Sequence, residues 1–271
     1  MNAIDRVFES LRAKKRRAFM PFITAGDPDL RGTTALIKEL TKAGASLIEI
    51  GFPYSDPIAD GPTIQASYTR ALANHLTLDA IFRHFREHHG PESGSQAVPL
   101  VAMVSYALVI RRGLERFIED ARAAGFSGAI VPDLPLEESQ TLVNLSRESD
   151  FKLIFLVTPT TPLERARRIA ETSTGFLYFV SVTGITGERR ELPPALKTQL
   201  ASLRDSTKVP ICVGFGISTP DHVRALRDVA DGIIVGSALV RPLEQVGKRP
   251  LDQIVAEIGQ MARGFSDALV T

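Results

Sequence analysis

The sequence predicts one (β/α)8 TIM barrel of the α/β class, and three observations support this prediction. Eight short apolar runs recur along the chain, and each is followed by a turn and by a stretch with helical apolar spacing. The runs are apolar on both faces, as in a parallel sheet that is covered by helices. The 271 residues also match the usual length of such a barrel. We therefore expect a single domain over residues 1–271.

The predicted strands are rich in β-branched residues. In chain order they are AFMPFIT (18–24), SLIEI (46–50), VPLVAMV (98–104), GAIV (128–131), KLIFLV (152–157), GFLYFV (175–180), VPICVG (209–214) and DGIIVG (231–236). The helices between them show one apolar face, as Leu36, Ile37 and Leu40 do before Gly44. A glycine just beyond the last apolar position is a common helix stop.

Three stretches are additional to the eight repeated units. The first 17 or so residues predict a helix across the bottom of the barrel, and residues 77–89 predict an added helix after the second unit. Residues 181–193 predict a long, charged, glycine-rich loop after the sixth strand. Residues 90–97 predict a surface loop that is too short to separate two domains.

The composition excludes several classes of protein. With 44% hydrophobic and 23% charged residues, the chain is neither disordered nor fibrous. The formal charge of +1 gives no global attraction to nucleic acid or to an anionic membrane. A single cysteine, Cys212, makes no intramolecular disulfide, and the sequence has neither a signal-peptide pattern nor a span of about 20 apolar residues. We expect a cytoplasmic protein.

Two acidic residues stand at the carboxyl end of a strand, where the loops of a barrel form its working face. Glu49 interrupts an apolar run and is expected to point into the barrel mouth, where burial disfavours its ionised form. Asp60 lies in the next loop, GFPYSDPIADGP, whose prolines and glycines allow a turn over the opening. Each has an alternative. The alternative for Glu49 is that it is a buried ion-pair partner. The alternative for Asp60 is that it only caps the helix near Pro62, in which case Asp56 is the catalytic acid.

Small residues at three consecutive strand ends predict a phosphate site. Residues 184–187, 214–218 and 236–237 follow the sixth, seventh and eighth predicted strands. Glycine lets backbone N–H groups approach an anion, and the loops after strands seven and eight are the usual phosphate site of this fold. The alternative is that these segments are tight turns with no ligand.

No metal site is predicted. His84 and His88 have the spacing of a helical metal pair, but together with His89 they lie in a polar segment without a third ligand, which favours a solvated helix face. The basic run at 14–17 is expected to end the first helix, where cations suit the helix dipole, and no basic stripe continues it.

Five segments carry a resemblance to a known family. They are LIEIGFPYSDPIADGPTIQ (47–65), VPDLPLEES (131–139), VSVTGITG (180–187), VGFGIS (213–218) and GSALV (236–240). In this order they closely resemble the tryptophan synthase alpha chain family, and the resemblance covers essentially the whole chain. It implies a lyase of tryptophan biosynthesis that reversibly cleaves indole-3-glycerol phosphate by a retro-aldol reaction. The products are indole and glyceraldehyde 3-phosphate.

The resemblance also implies the roles of single residues. Glu49 is expected to be the general acid and base that protonates the indole ring carbon and helps to deprotonate the glycerol hydroxyl. Asp60 is expected to stabilise positive charge on the indole nitrogen. The implied substrate-binding residues are Phe22, Ile64, Tyr178, Thr186 and Phe215. The implied phosphate-binding residues are Gly187, Gly216, Gly236 and Ser237.

The resemblance further implies a partner, the tryptophan synthase beta chain, in an α2β2 complex. That chain carries pyridoxal phosphate, and no pyridoxal lysine motif is visible here, so no cofactor is expected in this chain. Neither nucleic acid nor a membrane is an expected partner. Two alternatives are a stand-alone indole-glycerol-phosphate lyase and a non-catalytic barrel that activates a partner. The second is disfavoured because Glu49, Asp60 and all three glycine segments are present together.

Overall fold

A parallel sheet that closes on itself forms the centre of the molecule, as the sequence predicts. The structure is a computed structural model, and it describes residues 1–58, 60–93, 98–181, 196–205 and 207–270. Its strands are β1 (Ala18–Thr24), β2 (Ile48–Gly51), β3 (Leu100–Met103), β4 (Phe126–Ile130), β5 (Lys152–Ile154), β6 (Leu156–Val157), β7 (Leu177–Val180), β8 (Ile211–Gly214) and β9 (Gly232–Val235).

Helices alternate with the strands and cover the outside of the barrel. They are α1 (Ala3–Ala13), α2 (Leu30–Lys42), α3 (Pro62–Ala73), α4 (Leu78–His89), α5 (Tyr106–Arg112), α6 (Leu114–Ala123), α7 (Gln140–Glu148), α8 (Leu163–Thr172), α9 (Leu196–Arg204), α10 (Pro220–Leu226), α11 (Ser237–Val240) and α12 (Leu251–Asp267). The added helix predicted over 77–89 is α4, which begins where the Thr77 side chain accepts a hydrogen bond from the backbone of Ala80. Within the described ranges, no helix is both long and apolar enough to cross a membrane.

The two ends of the strand order, β5 and β6, come from one predicted strand. The sheet order is β5-β4-β3-β2-β1-β9-β8-β7-β6, and all neighbours are parallel. The run KLIFLV was expected to be one strand, but the structure divides it at Phe155. The N–H of Phe155 donates to Ser173 Oγ (3.1 Å) while its carbonyl accepts from the N–H of Tyr178 (3.0 Å). The first half therefore pairs with β4 and the second with β7, and the described residues give nine strand segments instead of eight.

Alternation along the strands decides which side chains enter the barrel. In β1 the inward side chains are Ala18, Met20 and Phe22, and the outward ones include Phe19 and Ile23. The strand register places Glu49 of β2 opposite Phe22 on one side and Val101 on the other. Since both of these neighbours belong to the interior cluster, Glu49 also points inward, as predicted.

Helix α1 covers the amino end of the barrel, which agrees with the helix predicted there. Its Ile4 and Phe8 are buried in the interior cluster. The side-chain amide of Asn2 donates to the carbonyls of Ser127 (2.9 Å) and Asp150 (2.6 Å). These contacts fix the start of the helix against the strands that it closes.

The end of α1 differs from the prediction. The helix was expected to include the basic run at 14–17, but it ends at Ala13. Lys15 adopts a left-handed conformation (φ 53°), and the N–H of Arg16 donates to the carbonyl of Leu11 (2.8 Å). This turn reverses the chain between the end of α1 and the start of β1 at residue 18. The basic run therefore lies beyond the helix.

Two predicted loops lie wholly or partly outside the described residues. In the surface loop at 90–97, Pro91–Ser93 forms a short 3-10 turn, and residues 94–97 are not described. Of the glycine-rich loop predicted at 181–193, only Ser181 is described.

Candidate active site

A pocket opens at the carboxyl ends of the strands, and both predicted catalytic acids line it. Its empty volume, including the open mouth, is about 500 Å³. Its lining residues are Phe22, Glu49, Asp60, Ile64, Met103, Tyr178, Phe215, Gly216, Ile217, Ile234, Gly236 and Ser237. All the predicted site residues that the structure describes therefore meet in one place. Thr186 and Gly187 lie outside the described residues.

Glu49 is a buried carboxyl group with no partner. Its side chain is 0% exposed, and neither Oε1 nor Oε2 has a hydrogen-bond partner in the described part of the chain. Burial raises the pKa of Glu49 well above its ordinary value. The alternative of a buried ion pair finds no cation in the described residues. A carboxyl group in this setting keeps its proton to a higher pH than an exposed one and can donate it to a bound molecule.

Asp60 reaches the pocket from the loop between β2 and α3. Its N–H donates to the carbonyl of Pro57 (3.0 Å), and its own carbonyl accepts from Gln65 Nε2 (2.7 Å). The N-cap residue of helix α3 is Gly61 and not Asp60. Burial raises the pKa of Asp60 to about 6. The other candidate, Asp56, is exposed on the same loop and does not line the pocket.

A buried ion pair holds the helix that follows this loop. Asp27, after β1, is fully buried, and its carboxylate accepts from Arg70 Nε (3.0 Å) and Nη2 (2.6 Å) of α3. The hydroxyl of Ser67 donates to the same carboxylate (2.5 Å). These bonds fasten α3 to the end of β1. They thereby fix Ile64, which lies one helical turn before Ser67 on α3, in the pocket wall.

Aromatic rings form the apolar part of the pocket. Tyr178 of β7 meets Phe215 edge to face, with ring centroids 5.7 Å apart. Phe22 lies across the barrel and packs over Gly51, where an added Cβ would stand 2.5 Å from the ring. Burial, and then the negative charges of Glu49 and Asp60, raise the pKa of Tyr178, so its hydroxyl stays protonated beside them.

Small residues border the other part of the pocket. After β8 the chain turns through two left-handed residues, Phe215 (φ 69°) and Gly216 (φ 74°). After β9, Gly236 precedes the four-residue helix α11, which begins at Ser237. The first N–H groups of a helix have no partner within it, and glycine leaves them accessible. Among the residues that the structure describes, backbone donors line this end of the pocket and no cationic side chain does.

Sequence reasoning did not include three apolar lining residues: Met103, Ile217 and Ile234. In the pairing of β2 with β3, Met103 lies opposite Gly51 and Val101 lies opposite Glu49. Met103 is thus two residues beyond Val101 on the same strand. The period of two along a strand would have placed it on the same inner face as Val101. Ile217 had no comparable signal, because the turn after β8 determines its direction.

The histidines of α4 are engaged within the helix layer. His84 Nε2 lies 2.7 Å from Thr34 Oγ1, and its ring stacks on that of His88 at 4.2 Å. In the described ranges, no group of three or more histidine, cysteine, aspartate or glutamate side chains is placed to hold a metal ion. Cys212 is buried in β8 as a core residue.

Known proteins provide an independent comparison. A sequence model of a family described as "Tryptophan synthase alpha chain" matches residues 8–269. The tryptophan synthase alpha chain of Rhodopirellula baltica is 46% identical over 99% of both chains. That of Gloeobacter violaceus is 47% identical over 89% of this chain and 86% of its own.

Solved structures give the same result. Tryptophan synthase subunit alpha from Legionella pneumophila superposes with a TM-score of 0.89 at 33% identity, covering 100% of this chain and 99% of that one. A chain of the tryptophan synthase complex from Pyrococcus furiosus superposes with a TM-score of 0.81 at 34% identity, covering 92% of this chain and 98% of that one.

The fold and the pocket define the class of this protein: it is a (β/α)8-barrel enzyme with two acids in the mouth of the barrel. The matches in sequence and structure then give the family. The chain belongs to the tryptophan synthase alpha chain family. Its members are carbon–carbon lyases that cleave indole-3-glycerol phosphate in tryptophan biosynthesis. The comparisons do not favour the stand-alone lyase or the non-catalytic barrel.

Proposed function

We propose that Glu49 and Asp60 carry out the proton chemistry by which this chain cleaves indole-3-glycerol phosphate. The observation that supports this most is the unpartnered, fully buried carboxyl group of Glu49 in a pocket that Asp60 also lines. Burial raises the pKa of both carboxyl groups, that of Asp60 to about 6, and two such acids in one pocket are suited to proton transfer.

In the proposed reaction Glu49 donates one proton to the substrate and later takes another from it. Glu49 gives its proton to the indole ring carbon that bears the glycerol chain, and Asp60, ionised above about pH 6, stabilises the positive charge on the ring nitrogen. The carboxylate of Glu49 then takes the proton of the adjacent glycerol hydroxyl while the carbon–carbon bond breaks. The bond electrons return to the indole ring, and the products are indole and glyceraldehyde 3-phosphate.

The pocket walls match the two ends of this substrate. Phe22, Ile64, Tyr178 and Phe215 offer an apolar slot for the indole ring. Gly216, Gly236 and Ser237 offer backbone N–H groups for the phosphate. Outside the described residues, Gly187 is expected to contact the phosphate and Thr186 the rest of the substrate. An acid pair and an anion site in one pocket hold the reacting bond beside Glu49.

The deciding experiment measures indole release from indole-3-glycerol phosphate by the wild type and by Glu49→Gln. The amide has the same shape and cannot donate or accept the proton, so we expect a loss of at least about 10²–10⁴-fold. Circular dichroism and binding of glycerol 3-phosphate serve as controls for the fold and for the phosphate site. Turnover by Glu49→Gln that matches the wild type would contradict the role of this residue.

We further propose that the chain works as one domain in the cytoplasm, with a beta chain in an α2β2 complex. Its relatives include chains of tryptophan synthase complexes. Two large apolar side chains are exposed in segments that follow β2 and β3: Ile58 (80% exposed) in the loop after β2 and Ile110 (55% exposed) in α5. A partner on this side of the barrel would cover them. Pyridoxal phosphate belongs to the beta chain, and this chain needs no cofactor of its own. The test is co-elution with a cognate beta chain, together with a faster indole release.

A further inference from the structure

A second cavity lies at the opposite end of the barrel, and the proposed chemistry does not use it. It lies between α1 and the amino ends of β1, β8 and β9, and its empty volume, including its open side, is about 590 Å³. We call it the basal cavity. Its lining residues are Phe8, Leu11, Arg12, Lys15, Arg16, Arg17, Pro210 and Asp231.

The charge of the basal cavity is strongly positive. Four of its lining residues are cations and one is an acid. That acid, Asp231, is already engaged, because its Oδ2 accepts from the N–H of Ile211 (2.7 Å) and from Arg204 Nη1 (2.6 Å). None of the four cations forms an ion pair with a carboxylate among the residues that the structure describes. Arg12, Lys15 and Arg16 are exposed and Arg17 is half-buried, and apart from the engaged Asp231 the described residues offer these four charges no ion-pair partner.

The turn after α1 holds these cations around the cavity. Lys15 adopts the left-handed region (φ 53°), which is unfavourable for a residue with a side chain. The N–H of Arg16 closes the turn on the carbonyl of Leu11, and Arg17 Nε donates to the carbonyl of Arg227 (2.8 Å). The backbone of the basic run consequently folds back beside α1, where the exposed Lys15 and Arg16 border the cavity.

We propose that the basal cavity binds a small phosphate ester. The phosphate would be held by Arg12, Lys15 and Arg16, since a guanidinium presents two parallel donors to phosphate oxygens. The apolar part of the ester would pack on the floor of Phe8, Leu11 and Pro210. A concave site with an apolar floor suits a small ligand, whereas a nucleic-acid duplex needs an extended basic face, and the chain carries a formal charge of only +1.

The test separates this site from the phosphate site of the proposed active site. Amide NMR signals of the ¹⁵N-labelled chain are followed during titration with phenyl phosphate and, in a second arm, with inorganic phosphate. Signals of residues 11–17, 211 and 231 report the basal cavity, and those of 214–216 and 236–237 report the active site. We expect both groups to shift, each with its own dissociation constant. Phenyl phosphate should bind the basal cavity more tightly than inorganic phosphate, because only the ester reaches the apolar floor.

A matched pair of variants tests the assignment. Arg16→Gln and Lys14→Gln each remove one positive charge from the same turn, but only Arg16 lines the basal cavity. We expect Arg16→Gln to raise the basal dissociation constant about 10-fold and Lys14→Gln to change it less than about 2-fold. Arg12→Gln, on the helix itself, should repeat the effect of Arg16→Gln. Indole release should stay at the wild-type rate in all three.

Several results would overturn the proposal. One is an absence of shifts in the basal group at concentrations that saturate the active-site group. Another is an equal loss of affinity in Arg16→Gln and Lys14→Gln, which would show that the basic run only attracts anions in general. A third is binding of a DNA duplex to the basal group with higher affinity than phenyl phosphate. None of these results would affect the proposed roles of Glu49 and Asp60.

Discussion

The hydroxyl of Tyr178 occupies the space in which a Cβ of residue 214 would lie. A Cβ built on Gly214 collides with Oη and stands 2.7 Å from Cζ and 2.9 Å from Cε1 of the same ring. The two residues belong to neighbouring strands, β7 and β8. The absence of a side chain at the end of β8 is therefore what lets the Tyr178 ring reach the pocket and meet Phe215.

The first prediction concerns this contact. Gly214→Ala should displace the Tyr178 ring, raise the KM for indole-3-glycerol phosphate and lower the free energy of unfolding by about 1–3 kcal/mol. Gly264→Ala in α12 is the matched control, because the nearest atom to its Cβ would be 4.0 Å away. Chemical denaturation and steady-state kinetics measure both effects. Equal behaviour of the two variants would show that the contact with Tyr178 has no consequence.

The second prediction compares two aspartates of one loop. Asp60→Asn should lower kcat for indole release by about 10²-fold or more, because the amide no longer stabilises positive charge on the substrate. Asp56→Asn removes an equal charge from an exposed position and should retain nearly full activity in the isolated chain. If the losses occur in the opposite order, Asp56 is the catalytic group.

The third prediction follows from the pKa of Asp60, which burial raises to about 6. The proposed role requires the ionised form, so kcat/KM should fall about tenfold per pH unit below pH 6 and level off above it. The measurement is kcat/KM for indole release between pH 4.5 and 8. If kcat/KM instead declines around pH 4, the group that titrates is an ordinary exposed carboxyl group and not Asp60.

The fourth prediction is a gain in stability upon loss of activity. The folded chain keeps the proton of Glu49 above the ordinary pKa of 4.5, where the unfolded chain releases it. The stability contributed by this proton is thus complete below pH 4.5 and declines as the pH rises toward the folded pKa. Glu49→Gln has no proton to lose, so its melting temperature relative to the wild type should increase between pH 5 and pH 8. A difference in melting temperature that stays constant over this pH range would contradict the prediction.

The fifth prediction tests the phosphate end of the pocket. Among the described residues, the three atoms nearest to a Cβ at Gly236 all belong to Phe22, at 3.6 Å or more. Gly236→Val therefore leaves room for the fold but places methyl groups in the pocket. The KM for indole-3-glycerol phosphate should rise, with a smaller effect on slow cleavage of the analogue that lacks phosphate. Glycerol 3-phosphate should inhibit the wild type competitively and the variant weakly. An unchanged KM would place the phosphate elsewhere.

Most of the barrel follows from periodicity in the sequence. The run at 18–24 is β1 to the residue, and α4 lies within one residue of its predicted start. Periodicity indicates a strand but not its neighbours, so it could not show that KLIFLV changes partners at Phe155. That change depends on the Ser173 hydroxyl, which takes the N–H of Phe155 out of the ladder.

The site was predictable to a similar extent. A charged residue within an apolar strand and glycines after the last strands were enough to single out Glu49, Gly216 and Gly236. The turn after α1 was not predictable, because a left-handed lysine has no sequence signal comparable to that of glycine. The basic run therefore fitted a helix terminus in the sequence, whereas the structure shows it bordering a cavity.

The sheet order also bears on how fast the chain can fold. From β1 to β5, and again from β6 to β9, each strand pairs with the next one along the chain, so these contacts form over short loops. The pairing of β1 with β9, in which Ala18 lies opposite Gly232, joins residues more than 200 positions apart. Closing so long a loop carries the largest entropic cost of any strand pairing in the barrel. We therefore expect the β1–β9 pairing to form late, and the catalytic pocket, which residues on both sides of this pairing line, is completed only with it.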